Sequence, residues 1–230
     1  EEEDYEFDED TIVKWEVLPG RRFSKNDFKK VLSDLNTNKA FQKALNYLRY
    51  GPRTVKEMEN YLDDYANSNA VIKKLKDFHY LDDNRYVNTF LDSVKRNKKG
   101  QEYLKNSLKL KGINANLIVD CLKNYSKSEE EEIISFVIEK FISKNVGFPV
   151  NRIKRSLMEK LIRDGFTQEL INHKISTLEL VDNSYDNLQK DFAKLQKKFA
   201  STKEEERKQK IVNALLRRGY EYANIQQLFE

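Results

Sequence analysis

Tyr80-Leu81-Asp82-Asp83-Asn84-Arg85-Tyr86 joins two helical patterns with almost no room for a loop. Upstream, Val71, Ile72, Leu75 and Phe78 recur at helical spacing, and downstream Tyr86, Phe90, Leu91 and Val94 do the same. Leu81 is placed to close the first packed layer. Asp82 or Asp83 is placed to cap the next helix by accepting its free N–H groups. Arg85 then falls in that helix's first turn, where the dipole disfavours a cation, so an acidic partner is expected, Asp82 among the candidates. Such a joint predicts helices packed on helices through tight turns.

Outward from this joint the same grammar recurs. Residues 1–37 form an acidic head with linker helices: residues 1–8 are expected to be poorly ordered, a short helix spans 9–15, and Pro19-Gly20 breaks the chain. Ser24 then caps a helix to about Leu35, and Asn36 to Asn38 reads as a linker. Four three-helix repeats follow, over 38–81, 82–126, 127–181 and 182–230. In the first, Gly51-Pro52 stops a helix, and Thr54 with Glu57 forms a capping box for the next. In the second, Gly100 opens the middle helix and Asn114 caps the last. The third starts near Ser128, breaks at Gly147-Phe148-Pro149, and uses Thr167 as a cap. Gly112, Gly165 and Gly219 end the middle helices at spacings of 53 and 54 residues, each followed by Ile or an aromatic. That period predicts an all-α fold of tandem three-helix repeats stacked into an elongated, curved array. Four layers at about 10 Å each reach on the order of 40 Å.

Composition agrees. With 39% hydrophobic and 35% charged residues among 230, narrow helical layers suit the chain better than one large core. Seven Gly and three Pro are too few for the turns of a β-sandwich. The single cysteine, Cys121, excludes an intrachain disulfide framework and sits between Ile118 and Leu122 as a core residue, so a reducing, cytoplasmic setting is expected. No apolar run reaches the length of a membrane span, and eight acids with no base in the first ten residues do not read as a secretory leader. Residues 1–36 carry net charge −5 and the remainder +9, which points to a polyanionic partner for the helical body.

Three basic segments are the candidate contact surfaces: Lys95, Arg96, Lys98, Lys99, Lys105, Lys109 and Lys111; Arg152, Lys154, Arg155, Lys160 and Arg163; and Arg207, Lys208, Lys210, Arg217 and Arg218. Read as the second helices of their repeats, they align as one stripe for phosphates or acidic protein faces. Solvated helix faces are the plain alternative. Tyr47, Tyr50, Tyr61, Tyr65, Tyr80, Tyr86 and Tyr103 sit mostly at apolar spacing and read as core before they read as stacking platforms. His79 and His173 lack matched metal-ligand neighbours. With no Gly-rich phosphate loop, nucleophile elbow or His/Cys cluster, neither an enzyme nor a cofactor or metal is expected.

Ala44-Leu45-Asn46-Tyr47-Leu48, Arg53-Thr54 with Glu57-Met58-Glu59, Leu75, Tyr80-Leu81-Asp82-Asp83, Arg85-Tyr86 and the run from Leu104 to Lys111-Gly112-Ile113 resemble the repeats of RecX proteins, regulators of the RecA recombinase, in their longer form with a fourth repeat. The resemblance covers residues 38–126 well and the later repeats more loosely. His79 stands where a small residue, commonly Gly, is usual, and Gly100 follows a lysine run with no Pro after it. The resemblance implies a non-enzymatic, monomeric modulator. It would bind the RecA filament on single-stranded DNA within its helical groove, block ATPase and strand exchange, drive filament loss, and bind single- and double-stranded DNA directly. It also adds Arg53 to the candidate contacts. A general DNA-binding helical module acting without RecA and a protein-only scaffold remain the alternatives.

Overall fold

The computed structural model describes residues 4–229, and among them every regular element is a helix. In order these are α1 (Glu9–Trp15), α2 (Lys25–Leu48), α3 (Val55–Tyr61), α4 (Ser68–Asp77), α5 (Asp83–Arg96), α6 (Gln101–Leu110), α7 (Ala115–Lys123), α8 (Lys127–Lys144), α9 (Val150–Arg163), α10 (Gln168–Ser176), α11 (Tyr185–Lys198), α12 (Glu204–Arg217) and α13 (Tyr222–Gln226). They group into two compact units. One runs up to Asp92 and includes Lys105–Lys123; the other holds Ser93–Leu104 and the chain from Asn124 onward.

In the first unit, α1 and α4 pack on α2, and α3 packs on α4. Ala40, Ala44, Met58, Leu62, Val71, Ile72, Leu75 and Leu81 form one buried cluster, so Leu81 closes this layer as its position predicts. Two expectations are corrected here. Asn36 to Asn38 is no linker: α2 runs unbroken through it. Neither Gly nor Pro interrupts that stretch, and its polar groups are satisfied on the helix surface. Thr37 Oγ1 donates to the Ser33 carbonyl, and Asn38 Nδ2 donates to Asp8 Oδ1 and Thr11 Oγ1. Of residues 1–8, 1–3 lie outside the described residues, while Tyr5, Phe7 and Asp8 make specific contacts. Tyr5 meets the Phe28 ring edge-on at 5.4 Å, and Asp8 caps α1 by accepting the Thr11 N–H at 2.8 Å.

In the second unit, α8 and α10 pack on α9 around Ile134, Val137, Ile138, Leu157, Leu161, Phe166 and Ile171. α11 and α13 pack on α12 around Leu188, Leu195, Ile211, Leu215, Tyr220 and Ile225. The third repeat begins two residues before Ser128, where Ser126 and Glu129 form a capping box. Thr167 precedes α10 without a side-chain cap bond. Cys121 is buried, as its neighbours predict.

The glycine stops are Schellman turns. Ile113, Phe166 and Tyr220 each donate their N–H five residues back, to Leu108, Leu161 and Leu215, and each side chain is buried. These turns also dock on the preceding repeat. A Cβ on Gly165 would lie 2.4 Å from the Tyr103 backbone nitrogen in α6. One on Gly112 would lie 2.4 Å from the Lys56 side chain in α3, and one on Gly219 would lie 3.1 Å from the Arg152 nitrogen in α9. The C-terminal turn of one middle helix thus meets the N-terminal turn of the middle helix before it, negative dipole end to positive.

The clearest case is α6. A helix leaves its first N–H groups without intrahelical acceptors. Here Gly100 donates to the Asp164 carbonyl (2.9 Å), Glu102 and Tyr103 donate to the Gly165 carbonyl (3.0 and 3.2 Å), and Gln101 donates to Glu130 Oε1 (2.8 Å). Gly100 itself must lack a side chain, because a Cβ there would lie 2.2 Å from the Gly165 oxygen. In the first unit Asp83 plays the part of Glu130, accepting the Val55 N–H of α3 at 2.9 Å. The paired aspartates of the joint therefore serve two helices: Asp82 caps α5 through the Arg85 N–H (3.1 Å), and Asp83 caps α3.

Candidate nucleic-acid interface

The seven cations expected on one middle helix fall on two helices and the joint between them. Lys95 and Arg96 end α5, Lys98 and Lys99 form the joint, Lys105 and Lys109 lie on α6, and Lys111 follows it. The joint is strained at Lys98, whose φ of 56° is left-handed without being glycine. The Lys99 N–H closes the turn on the Val94 carbonyl, and the Lys99 carbonyl accepts the Tyr125 hydroxyl at 2.8 Å. Burial pushes the Tyr125 hydroxyl pKa up, and the Glu130 and Glu129 charges add to it, so it stays a proton donor.

Beside this joint the second unit opens a cleft of about 300 Å³ between the joint, α8 and the end of α9. Lys98, Lys99, Lys140, Lys144 and Lys160 line it, against one acid, Asp164. Asp164 is almost wholly buried and accepts from Lys99 and Lys160, each at 2.6 Å. Burial alone would raise the Asp164 pKa, but the two ammonium groups outweigh it and hold the carboxyl below the usual carboxylate range. The pair therefore fixes two lysines and leaves three cations, Lys98, Lys140 and Lys144, with no carboxylate partner among the described residues. Between them stands Phe136, 47% exposed on α8. The Lys98 and Lys140 ammonium groups lie 5.3 and 5.6 Å from its ring centroid. An exposed ring amid unpaired ammonium groups is the chemistry of a base platform beside phosphate contacts.

Of the residues named from sequence, the structure brings Lys98, Lys99 and Lys160 into this cleft. Several others already have partners within the chain. Lys95 donates to both Glu129 oxygens (2.9 and 3.0 Å) and to the Asn124 carbonyl. Lys111 pairs with Glu57 at 2.6 Å, Lys210 with Glu206 at 2.7 Å, and Arg218 with Asp191 at 2.8 Å. Arg152 stacks on Phe148 and Lys208 on Phe229. Arg96, Lys105, Lys109, Arg155, Arg163 and Arg217 are exposed, while Lys154 and Arg207 are half-buried. Arg53, Lys105, Lys109 and Lys111 belong to the first compact unit and the rest to the second. Tyr47, Tyr61 and Tyr65 pack on the first core as expected, whereas Tyr50, Tyr80 and Tyr103 are exposed.

Sequence reasoning missed Phe136, Lys140 and Lys144. Phe136 reads as one more apolar residue in a helix rich in them. Its signal was spacing: Lys140 falls four residues on and Lys144 eight, one exposed stripe of α8.

Comparison with known proteins agrees with the resemblance. The family described as RecX, third three-helix domain, matches residues 182–229. Regulatory protein RecX of Bacillus licheniformis is 28% identical, over 100% of this chain and 91% of its own length. That of Bacillus subtilis is 26% identical, over 98% and 89%. That of Lactobacillus johnsonii is 29% identical, over 94% and 83%. A crystal structure of regulatory protein RecX matches at a TM-score of 0.62 with 19% identity, covering 74% of this chain and 88% of that one. The crystal structure of RecX from Lactobacillus salivarius matches at 0.54 with 26% identity, covering 64% and 98%.

Proposed function

Because this chain belongs to the RecX family, we propose that it regulates the RecA recombinase, acting by binding rather than by catalysis. It engages the RecA filament on single-stranded DNA in the cytoplasm as a monomer, restrains ATPase and strand exchange, and promotes filament loss. The observation that carries the nucleic-acid part is the lysine cleft, where Lys98 and Lys140 flank an exposed Phe136 and Lys144 shares the lining, none of the three with a carboxylate partner among the described residues. Within the second unit, the exposed cations of α9 and α12 offer further contacts for phosphates or acidic protein faces.

The test titrates the full chain into RecA strand-exchange and ATPase assays, and separately measures oligo-dT binding with and without RecA. Inhibition of both activities at or below equal ratios to RecA is expected. The double variant Lys98→Glu, Lys140→Glu should weaken oligo-dT binding about tenfold or more at moderate salt. It should keep its helicity, because neither lysine holds an internal ion pair. Unchanged strand exchange and ATPase would reject the regulatory reading. Tight, steeply salt-dependent DNA binding with no effect on RecA would favour the general DNA-binding module instead.

A further inference from the structure

The first compact unit carries a second cleft, of about 410 Å³, whose chemistry differs from that of the lysine cleft. Its cations are Arg53 and Arg85, its acid is Asp82, and Leu48, Tyr80 and Tyr86 supply apolar wall. Arg53 is half-buried, and its guanidinium carbon lies 4.3 Å from the centroid of the Tyr47 ring, which stacks on Tyr61 at 4.0 Å. A stack of rings holds this guanidinium, and the Glu57 carboxylate lies near enough to feel its charge. Its Nε is buried and has no hydrogen-bond partner among the described residues. A buried donor left without an acceptor is costly in a finished fold. Arg85 adds a second open cation. It sits in the first turn of α5, where the dipole repels it, yet the acidic partner expected from sequence is absent. Among the described residues its guanidinium makes no ion pair, and only its backbone N–H meets Asp82.

We infer that this cleft receives a carboxylate side chain from an acidic segment of a protein partner, with an apolar neighbour of that carboxylate laid against Tyr80 and Tyr86. Guanidinium forks match a carboxylate in two parallel bonds, which lysines do not. Charge selects between the two clefts. Two arginines against Asp82 leave one net positive charge, enough for one carboxylate. Five lysines against Asp164 leave four, suited to a run of phosphates.

The experiment uses the full chain and a fluorescein-labelled peptide of alternating aspartate and leucine, with an asparagine–leucine counterpart and a labelled oligo-dT as controls. The acidic peptide should bind saturably, and the asparagine peptide at least tenfold more weakly. Arg85→Gln and Arg53→Lys should each weaken the acidic peptide about tenfold while changing oligo-dT affinity less than twofold. The exposed Arg85 keeps the test sound should a change at the stacked Arg53 disturb the fold. Equal binding of the two peptides, or no saturable binding, would overturn the proposal. Loss of oligo-dT binding in Arg85→Gln with the peptide unaffected would do the same, and would assign the cleft to nucleic acid. Failure of the lysine-cleft variant to affect oligo-dT binding leaves this result standing, so the two sites are judged separately.

Discussion

His79 and Gly165 occupy the same kind of backbone position with opposite fitness. Each follows a helix in the left-handed region, at φ 57° and 76°. A side chain there costs about 1–2 kcal/mol. The family resemblance places a small residue, commonly Gly, at position 79, and the left-handed turn supplies the physical reason. His79 is exposed, so little packing is lost by removing it. His79→Gly is expected to raise stability by about 1 kcal/mol, read as a higher urea midpoint at unchanged slope. Gly165→Ala should go the other way, by about 2 kcal/mol or more, because strain adds to a contact with the Tyr103 backbone that no side-chain motion relieves. Lys98 carries the same strain as His79 yet borders the lysine cleft, and strain of this kind collects at binding sites.

At the scale of elements, the first turns of two middle helices, α3 and α6, each take a carboxylate from the next repeat. Glu130 accepts the Gln101 N–H of α6 from a site where it is almost wholly buried. Burial raises its pKa, the Gln101 bond opposes that, and the Glu102 charge adds to the rise, leaving it above the ordinary Glu value. The folded state therefore holds the Glu130 proton more tightly than the unfolded chain. That contribution to stability is full below the unfolded pKa and is lost as pH rises through the folded one. Glu130→Gln keeps an acceptor for Gln101 and removes the charge. It is expected to flatten stability against pH between the ordinary Glu value and the raised one, and to match or exceed the parent at neutral pH, in denaturant titrations across that range. A larger loss at neutral pH than at acid pH would show that the ionised form is needed. Asp83 serves α3 in the same way from a half-buried position.

At the scale of the molecule, the compact units do not follow the sequence repeats. The division falls inside α5 and inside α6. The second unit takes Ser93–Leu104 because the first turn of α6 finds its acceptors at Glu130, Asp164 and Gly165. A fragment ending at residue 126 therefore removes every one of those acceptors while leaving the α6 sequence whole. The Gly100, Gln101, Glu102 and Tyr103 amides are expected to lose hydrogen-exchange protection in that fragment, while amides of α2 and α4 keep theirs. Retained protection at Gln101 and Tyr103 would mean that α6 caps itself.

Local chemistry made most of the helical plan readable from sequence. Gly112-Ile113, Gly165-Phe166 and Gly219-Tyr220 announce Schellman stops because few residues tolerate a left-handed turn. Thr54 with Glu57 announces a start because a hydroxyl and a carboxyl three residues apart satisfy each other's backbone. Asn36 to Asn38 misled for the converse reason: a side chain that favours turns in isolation, that of Asn38, is satisfied by Asp8 and Thr11, 30 and 27 residues away. The roles of the cations were beyond local reading. Lys95, Lys111 and Arg218 look as free as Lys98 in the chain, and only folding brings Glu129, Glu57 and Asp191 to them, whereas Glu206 and Lys210 pair four residues apart on one helix. Phe136 becomes a platform rather than core because the joint delivers Lys98 to its ring. Turns and caps are decided within a few residues, whereas which charge stays unpaired depends on groups that only the tertiary fold sets side by side.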